Sequence, residues 1–177
     1  MSFIDSIKIR AKKDIKTIVL PEGNDIRTIE AVEKVRKEQF ADVIVLGNKD
    51  EILNMAKEHN INIDGVKIIN PVEDARFEKF ANEFYELRKA KGMTLEKAEE
   101  ILKDETYFGM MMVKLGYADG LVSGACHSTA NTLRPALQIL KTAPGTKLVS
   151  AFFVMCVPNC EYGENGTFIF SDSGLNE

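Results

Sequence analysis

Several things are scarce in this chain of 177 residues, and each scarcity removes a class of protein. Positive charge is not in excess: 23 Lys and Arg stand against 27 Asp and Glu, a net charge of −4 with a sequence pI near 5.4. No general basic field therefore invites nucleic acid, and an anionic ligand must be held by a local site. No apolar run approaches the length of a bilayer span. The opening MSFIDSIKIRAKK interleaves charge with apolar residues where a signal peptide would carry an unbroken apolar core. Neither a membrane nor export is expected, and the expected location is cytoplasmic. Cysteine is limited to Cys126, Cys156 and Cys160, an odd number without secretory features, which argues for free thiols rather than a disulfide framework. His59 and His127 are the only histidines, so partners for Cys156 and Cys160 are few and no metal site is expected. What remains, 45% hydrophobic and 28% charged residues, is the composition of a globular protein able to bury a core.

The strongest organisational signal is alternation between short β-branched runs and longer helical patterns. Thr17 to Leu20 reads as a buried strand ended by Pro21, Glu22 and Gly23. Asn24 is then placed to cap a helix reaching Gln39, with Ile26, Ile29, Val32 and Val35 on one stripe. Val43 to Leu46 is the next strand, and Asn48 caps a helix from Lys49 to Glu58 whose apolar face is Ile52, Leu53 and Met55. A third strand, Val66 to Ile69, stops at Asn70-Pro71. Strand, helix, strand, helix and strand at this spacing imply right-handed parallel crossovers and an α/β sheet. The middle is predicted helical: a charged amphipathic helix from Asp74 to Lys91 stopped by Gly92, a helix from Thr94 to near Lys103, and Thr106 to Leu115, apolar nearly all round and so buried. A fourth strand, Gly120 to Val122, feeds SGACHSTANTLRPALQIL, whose second half is a helix. Leu148 to Val157 and Gly166 to Phe170 are strand candidates for a hairpin, and the chain closes on SDSGLNE with no helix.

Open α/β sheets bind ligands beyond the carboxyl ends of their strands. Two loops qualify. Pro21 to Asp25, followed by Arg27, reads as a capped turn in which Arg27 pairs with a nearby acid. Ser123 to Thr129 is richer: Gly124 permits a tight turn, Ser128 or Thr129 can cap the following helix, and free amides at a helix start suit phosphate. Arg134 lies in that helix just before Pro135, which removes a helical hydrogen bond and can re-aim it. The loop is neither a Walker loop nor a dinucleotide fingerprint. Nucleophilic catalysis by Cys126 or Ser128 is not expected, because no acidic orienting residue is identifiable from the chain. By composition Arg88 is a solvated side chain, and Cys160 sits accessibly in a loop with nothing to activate it.

Residues 118 to 145, ADGLVSGACHSTANTLRPALQILKTAPG, resemble the characteristic segment of phosphate acetyltransferases. TIVLPEGNDIRTIEAV, YELRKAKGMTLEKAEEILKDETYFGMMMVKLGYADG and VSAFFVMCVPNCEYGENGTFIF resemble further blocks of that family in the same order. The resemblance implies transfer of an acetyl group between coenzyme A and inorganic phosphate, with acetyl phosphate as the other small-molecule substrate, no redox cofactor or metal, and a homodimer at full length. It implies a three-layer, mostly parallel sheet of the isocitrate/isopropylmalate dehydrogenase type, with a first α/β domain over 1–146 and a second beginning at 147–177. Arg134 and Ser128 become candidate catalytic residues, and Arg88, Ser128, Thr129, Arg134 and Cys160 candidate substrate-binding residues. Asn131 stands where some relatives have Asp, which weakens acid–base chemistry there. Family members continue for about as many residues again, past Asn176, so the chain is expected to be a fragment that exposes apolar surface and gives no turnover alone. A butyryl-transferring relative and an acetyl-coenzyme-A-binding regulatory module are the alternatives. The chain's own helix directly after Met1 weighs against the fused module.

Overall fold

A computed structural model describes residues 2–172. Met1 and residues 173–177, the greater part of the closing SDSGLNE, lie outside the described residues. The elements in chain order are α1 (Phe3–Ala11), β1 (Thr17–Leu20), α2 (Ile26–Glu38), β2 (Asp42–Leu46), α3 (Lys49–Glu58) and β3 (Lys67–Ile69). They continue with α4 (Phe77–Arg88), α5 (Leu95–Leu102), α6 (Glu105–Lys114), β4 (Gly120–Leu121), α7 (Thr129–Ile139), β5 (Ala151–Cys156) and β6 (Thr167–Asp172). Two compact units result: Asp14–Lys141 forms one, and Met1–Lys13 with Thr142–Glu177 forms the other.

In the larger unit the four strands lie in the order β3-β2-β1-β4, and every pairing is parallel. The period-two alternation of β2 decides how the helices are distributed. Ile44 and Leu46 face a core shared with Val19, with Phe80 and Phe84 of α4, Leu102 of α5, Phe108 and Met110 to Met112 of α6, and Ile139 of α7. Val45 faces the opposite way, into a second core with Ile29 and Val32 of α2 and Ile52 and Ala56 of α3. Helices therefore cover both faces of the sheet. The methionine run of α6 is buried, as its all-round apolar pattern predicts. Each fully buried Phe contributes about 1.5–3 kcal/mol of transfer free energy. Asp119 secures β4 against β1: its carboxylate accepts the Thr17 amide at 2.8 Å while its own amide donates to the Thr17 carbonyl at 2.9 Å.

Three local expectations are corrected. Asp25, not Asn24, caps α2, because its carboxylate is the one that reaches an amide, that of Arg27. Leu53 is 42% exposed and contributes little to the apolar face of α3, which falls on Ile52 and Ala56. The helix expected from Asp74 to Lys91 is helical only over Phe77–Arg88, with a 3-10 turn at Lys89–Lys91. Asp74 is diverted by Arg76, whose backbone amide and guanidinium both donate to its carboxylate at 2.6–2.9 Å. That guanidinium also lies over the Tyr117 ring, 5.0 Å from its centroid.

In the smaller unit, α1 opens with a capping box in which Ser2 and Asp5 exchange hydrogen bonds. Strands β5 and β6 form the antiparallel hairpin expected of them, with Phe153 opposite Phe170 and Val154 opposite Ile169. Phe152 and Phe153, adjacent residues on opposite faces, are 64% and 61% exposed, so each face of the hairpin presents a largely exposed ring.

Helix α6 approaches the sheet closely because Gly109 has no side chain. A Cβ there would lie 2.6 Å from Leu121, 3.1 Å from Val19 and 3.3 Å from Leu46, side chains from three different strands. Gly109→Ala gains up to about 1 kcal/mol of helix propensity but overpacks this contact by about 1–3 kcal/mol. The expected net effect is destabilisation, read as a lower thermal midpoint by calorimetry. An unchanged or higher midpoint would show that the three strands give way freely.

Candidate functional site

Strand order places a topological switch point between β1 and β4, since the chain proceeds from β1 through β2 to β3 on one side and returns to β4 on the other. Loops leaving the carboxyl ends of two such strands diverge and leave a crevice. The loops in question are Pro21 to Asp25 after β1 and Val122 to Ser128 after β4, the two that stand out in the sequence. A single carboxylate ties them together.

Glu22, only 2% exposed, reaches from the first loop into the second. One of its oxygens accepts the amides of Gly124 and Ala125, each at 2.9 Å. The other accepts the amides of Cys126 and His127, also at 2.9 Å, and the ring Nδ1–H of His127 at 2.8 Å. Burial opposes the charge and is the largest single influence on Glu22. The hydrogen bonds from Cys126, Ala125, His127 and Gly124 together outweigh it and hold the carboxyl well below the usual carboxylate range. Arg27 adds a second tie, donating to the Ala125 carbonyl while its guanidinium also grips Asp25 at 2.7 and 3.0 Å. This bears out the expected pairing of Arg27 with a nearby acid.

The expectation that this loop offers free amides to phosphate is corrected for residues 124–127: an internal carboxylate already occupies them. Ser128 caps α7, its hydroxyl accepting the Asn131 amide at 3.3 Å. Among the described residues, the amides of Thr129 and Ala130 have no protein partner. Donor atoms of Glu22, Cys126 and His127 lie within 4.8 Å of one another. Glu22 already accepts five N–H donors, and desolvation together with the Glu22 charge raises the Cys126 thiol, so this set suits hydrogen bonding rather than a cation. The same shift leaves Cys126 protonated at neutral pH and unsuited to nucleophilic attack.

The two arginines lie elsewhere in the same unit, on α4 and α7. Gln138 is one turn beyond Arg134 on α7, and the Tyr107 hydroxyl of α6 donates to its Oε1 at 3.3 Å. Phe84 is one turn before Arg88 on α4, and its ring centroid lies 5.8 Å from that of Tyr107. Tyr107 thus touches the helix of each arginine and feels the charge of both. Burial raises its phenol, with Asp104 adding to the rise, while Arg134 and Arg88 pull the other way. Arg134 is exposed, and α7 runs on through the buried Pro135. The solvated reading of Arg88 is corrected: its Nε is buried and has no hydrogen-bond partner. A buried donor in that condition calls for an acceptor.

Cys160 belongs to the other unit, in the loop joining β5 to β6. That loop is tight at Gly166, whose φ of 81° favours glycine and where a Cβ would lie 2.3 Å from the Val157 carbonyl oxygen and 3.3 Å from Cys160. An open cleft of about 650 Å³ between α2 and α3 is lined by Asp25, Glu51, Glu58, Arg27 and His59 among others. Its acids outnumber its one arginine, itself paired with Asp25, which disfavours an anionic ligand there. Sequence reading missed Glu22, Tyr107 and Gln138. The only signal for Glu22 was an acid between Pro21 and Gly23 at a strand end.

Known proteins match this chain over nearly its whole length. A family model described as phosphate acetyl/butaryl transferase matches residues 2–177. The phosphate acetyltransferase of Acetivibrio thermocellus is 58% identical over 177 residues, covering 100% of this chain and 53% of its own. That of Thermoanaerobacterium thermosaccharolyticum is 58% identical over 176 residues, covering 99% and 53%. The crystal structure of a phosphotransacetylase from Streptococcus pyogenes superposes with a TM-score of 0.85 at 39% identity, covering 96% of this chain and 51% of that one. The chain spans about half the length of the curated relatives it matches.

The Glu22 latch has a stability signature. A carboxyl whose folded-state value is depressed contributes fully above its unfolded value, about 4.3, and loses that contribution as pH falls toward the folded value. Glu22→Gln keeps the shape but sets an NH2 against amide donors, and is expected to cost about 2–4 kcal/mol near neutral pH. The difference in urea stability between the two proteins should shrink as pH drops from 5 toward 3. A difference that stays constant with pH would mean that Glu22 is not held as the anion.

Proposed function

The chain belongs to the phosphate acetyl/butaryl transferase family, and on that premise we propose that it carries part of an enzyme transferring an acetyl group between coenzyme A and inorganic phosphate. In that reaction the coenzyme A thiolate attacks the carbonyl carbon of acetyl phosphate. A C–S bond forms, the C–O bond to phosphate breaks, phosphate departs with the electron pair, and the thiol proton passes to a base. The reverse direction makes acetyl phosphate. Positioning of two anions and stabilisation of an oxyanion are the demands placed on the protein.

The observation that supports this reading is the buried, unpartnered Arg88 Nε on α4, together with the charges of Arg88 and Arg134 both acting on Tyr107. Two guanidinium groups and a phenol suit a phosphate, of the substrate or of coenzyme A. Arg134 and Ser128 are proposed to act at the reacting group, and Arg88, Thr129 and Cys160 to bind substrate. The unpartnered amides at Thr129 and Ala130, in place of those held by Glu22, are the helix-start donors left for an anion. Acetyl is favoured over butyryl because the relatives described above are acetyltransferases by name. The finer fold assignment, a sheet of the isocitrate/isopropylmalate dehydrogenase type with a second domain starting near Lys147, belongs to the same proposal, as do a homodimer and a cytoplasmic location.

Acetyl phosphate formation from acetyl coenzyme A and phosphate tests the reading, measured on this chain and on a version extended to the length of its relatives. The extended protein should turn over, Arg134→Ala should lower its kcat/KM by about 10²-fold, and Arg88→Ala should raise KM for coenzyme A by about tenfold. Binding of acetyl coenzyme A without turnover in the extended protein would point instead to a regulatory module.

A further inference from the structure

The Glu22 carboxylate does more than close a loop. Each of its oxygens faces backbone N–H donors, with the Cys126 thiol a further donor beside it, and in that cradle it is an anion, able to accept but not to donate. The His127 Nδ1 lies 2.8 Å from Glu22 Oε1, so the proton between them must sit on the imidazole. In the neutral ring His127 is thereby held as the Nδ1–H tautomer, and its Nε2 keeps a lone pair. Among the described residues Nε2 has no protein partner, and the side chain is 25% exposed, so a ligand can reach it. His127 immediately precedes Ser128 and Thr129, at the mouth of α7 and at the switch point of the sheet.

We propose that Glu22 is a positioning residue that locks the tautomer of His127 and makes Nε2 a hydrogen-bond acceptor for an S–H or O–H group of the bound substrate. Two features distinguish this from simple loop closure. The four backbone amides would close the loop with any side chain at position 127, whereas the fifth bond is made to the imidazole itself. The same carboxylate also occupies the amides of residues 124–127, so that this stretch presents an acceptor at His127 where the sequence promised donors, and the free amides begin at Thr129. Which substrate group meets Nε2 rests on the acyl-transfer reading; the tautomer does not.

Long-range 1H–15N correlation spectra of the 177-residue chain above pH 8 read the tautomer directly, and with two histidines in the chain the His59→Gln variant assigns the signals. His127 should show a protonated Nδ1 and a bare Nε2, with the Nδ1–H form favoured by about tenfold or more through its charge-assisted hydrogen bond. In Glu22→Ala that preference should collapse to the ratio shown by His59. A wild-type His127 predominantly in the Nε2–H form would overturn the proposal without recourse to any variant, and so would an unchanged ratio in a folded Glu22→Ala protein. Neither result depends on turnover, so a failure of the acyl-transfer reading remains separable from a failure of this one.

Discussion

A buried anion satisfied by five N–H donors is the constraint on which the organisation of the larger unit's loops depends. Glu22 sits at the carboxyl end of a central strand, where any carboxylate loses its water and must recover the lost hydrogen bonds from protein. The recovery comes from residues about a hundred positions away, so the loops after β1 and β4 cannot be arranged independently. Arg27 reinforces the same junction through the Ala125 carbonyl. One charge at the switch point thus joins the two halves of the strand order, where the sheet itself contributes only the short β1–β4 pairing of Ile18 with Gly120 and Val19 with Leu121.

Around that junction the two cores have unequal work. The face holding α2 and α3 packs aliphatic side chains against Val45. The other face stacks α4, α5, α6 and α7 and contains the three largest fully buried rings, Phe80, Phe84 and Phe108. The second face also brings Arg88 and Arg134 toward one tyrosine. Their helices pack because of Phe84, Phe108 and Ile139, and the arginines follow as the next turn of the same helices. A rigid apolar core therefore presents the charged groups, which are held on helices and not on loops.

The candidate residues differ in how much of their setting local sequence can reveal. Ser128 was legible as a cap because capping depends on residues within three positions. Arg88 was not: its helix is charged and amphipathic, and nothing nearby indicates that its Nε ends up buried. Asn24 and Asp25 are equally good caps by composition, and the choice between them turned on which carboxyl or amide reached the Arg27 amide and its guanidinium. Leu53 had the right spacing for an apolar face, but the width of the buried stripe depends on what the helix packs against.

What the sequence by itself determined is the succession of strands and helices, the parallel sheet, the buried methionine helix and the hairpin, because these follow from periodicities of two and 3.6 and from turn residues acting over a few positions. It also carried the motifs by which membership of the acyltransferase family could be read. Only the tertiary structure decided that Glu22 fills the amides of residues 124–127, that His127 turns Nδ1 toward that carboxylate, and that the charges of Arg88 and Arg134 both reach Tyr107. Each of these relates residues tens of positions apart in the chain, and its energy exists only once the strands have paired and the helices have packed.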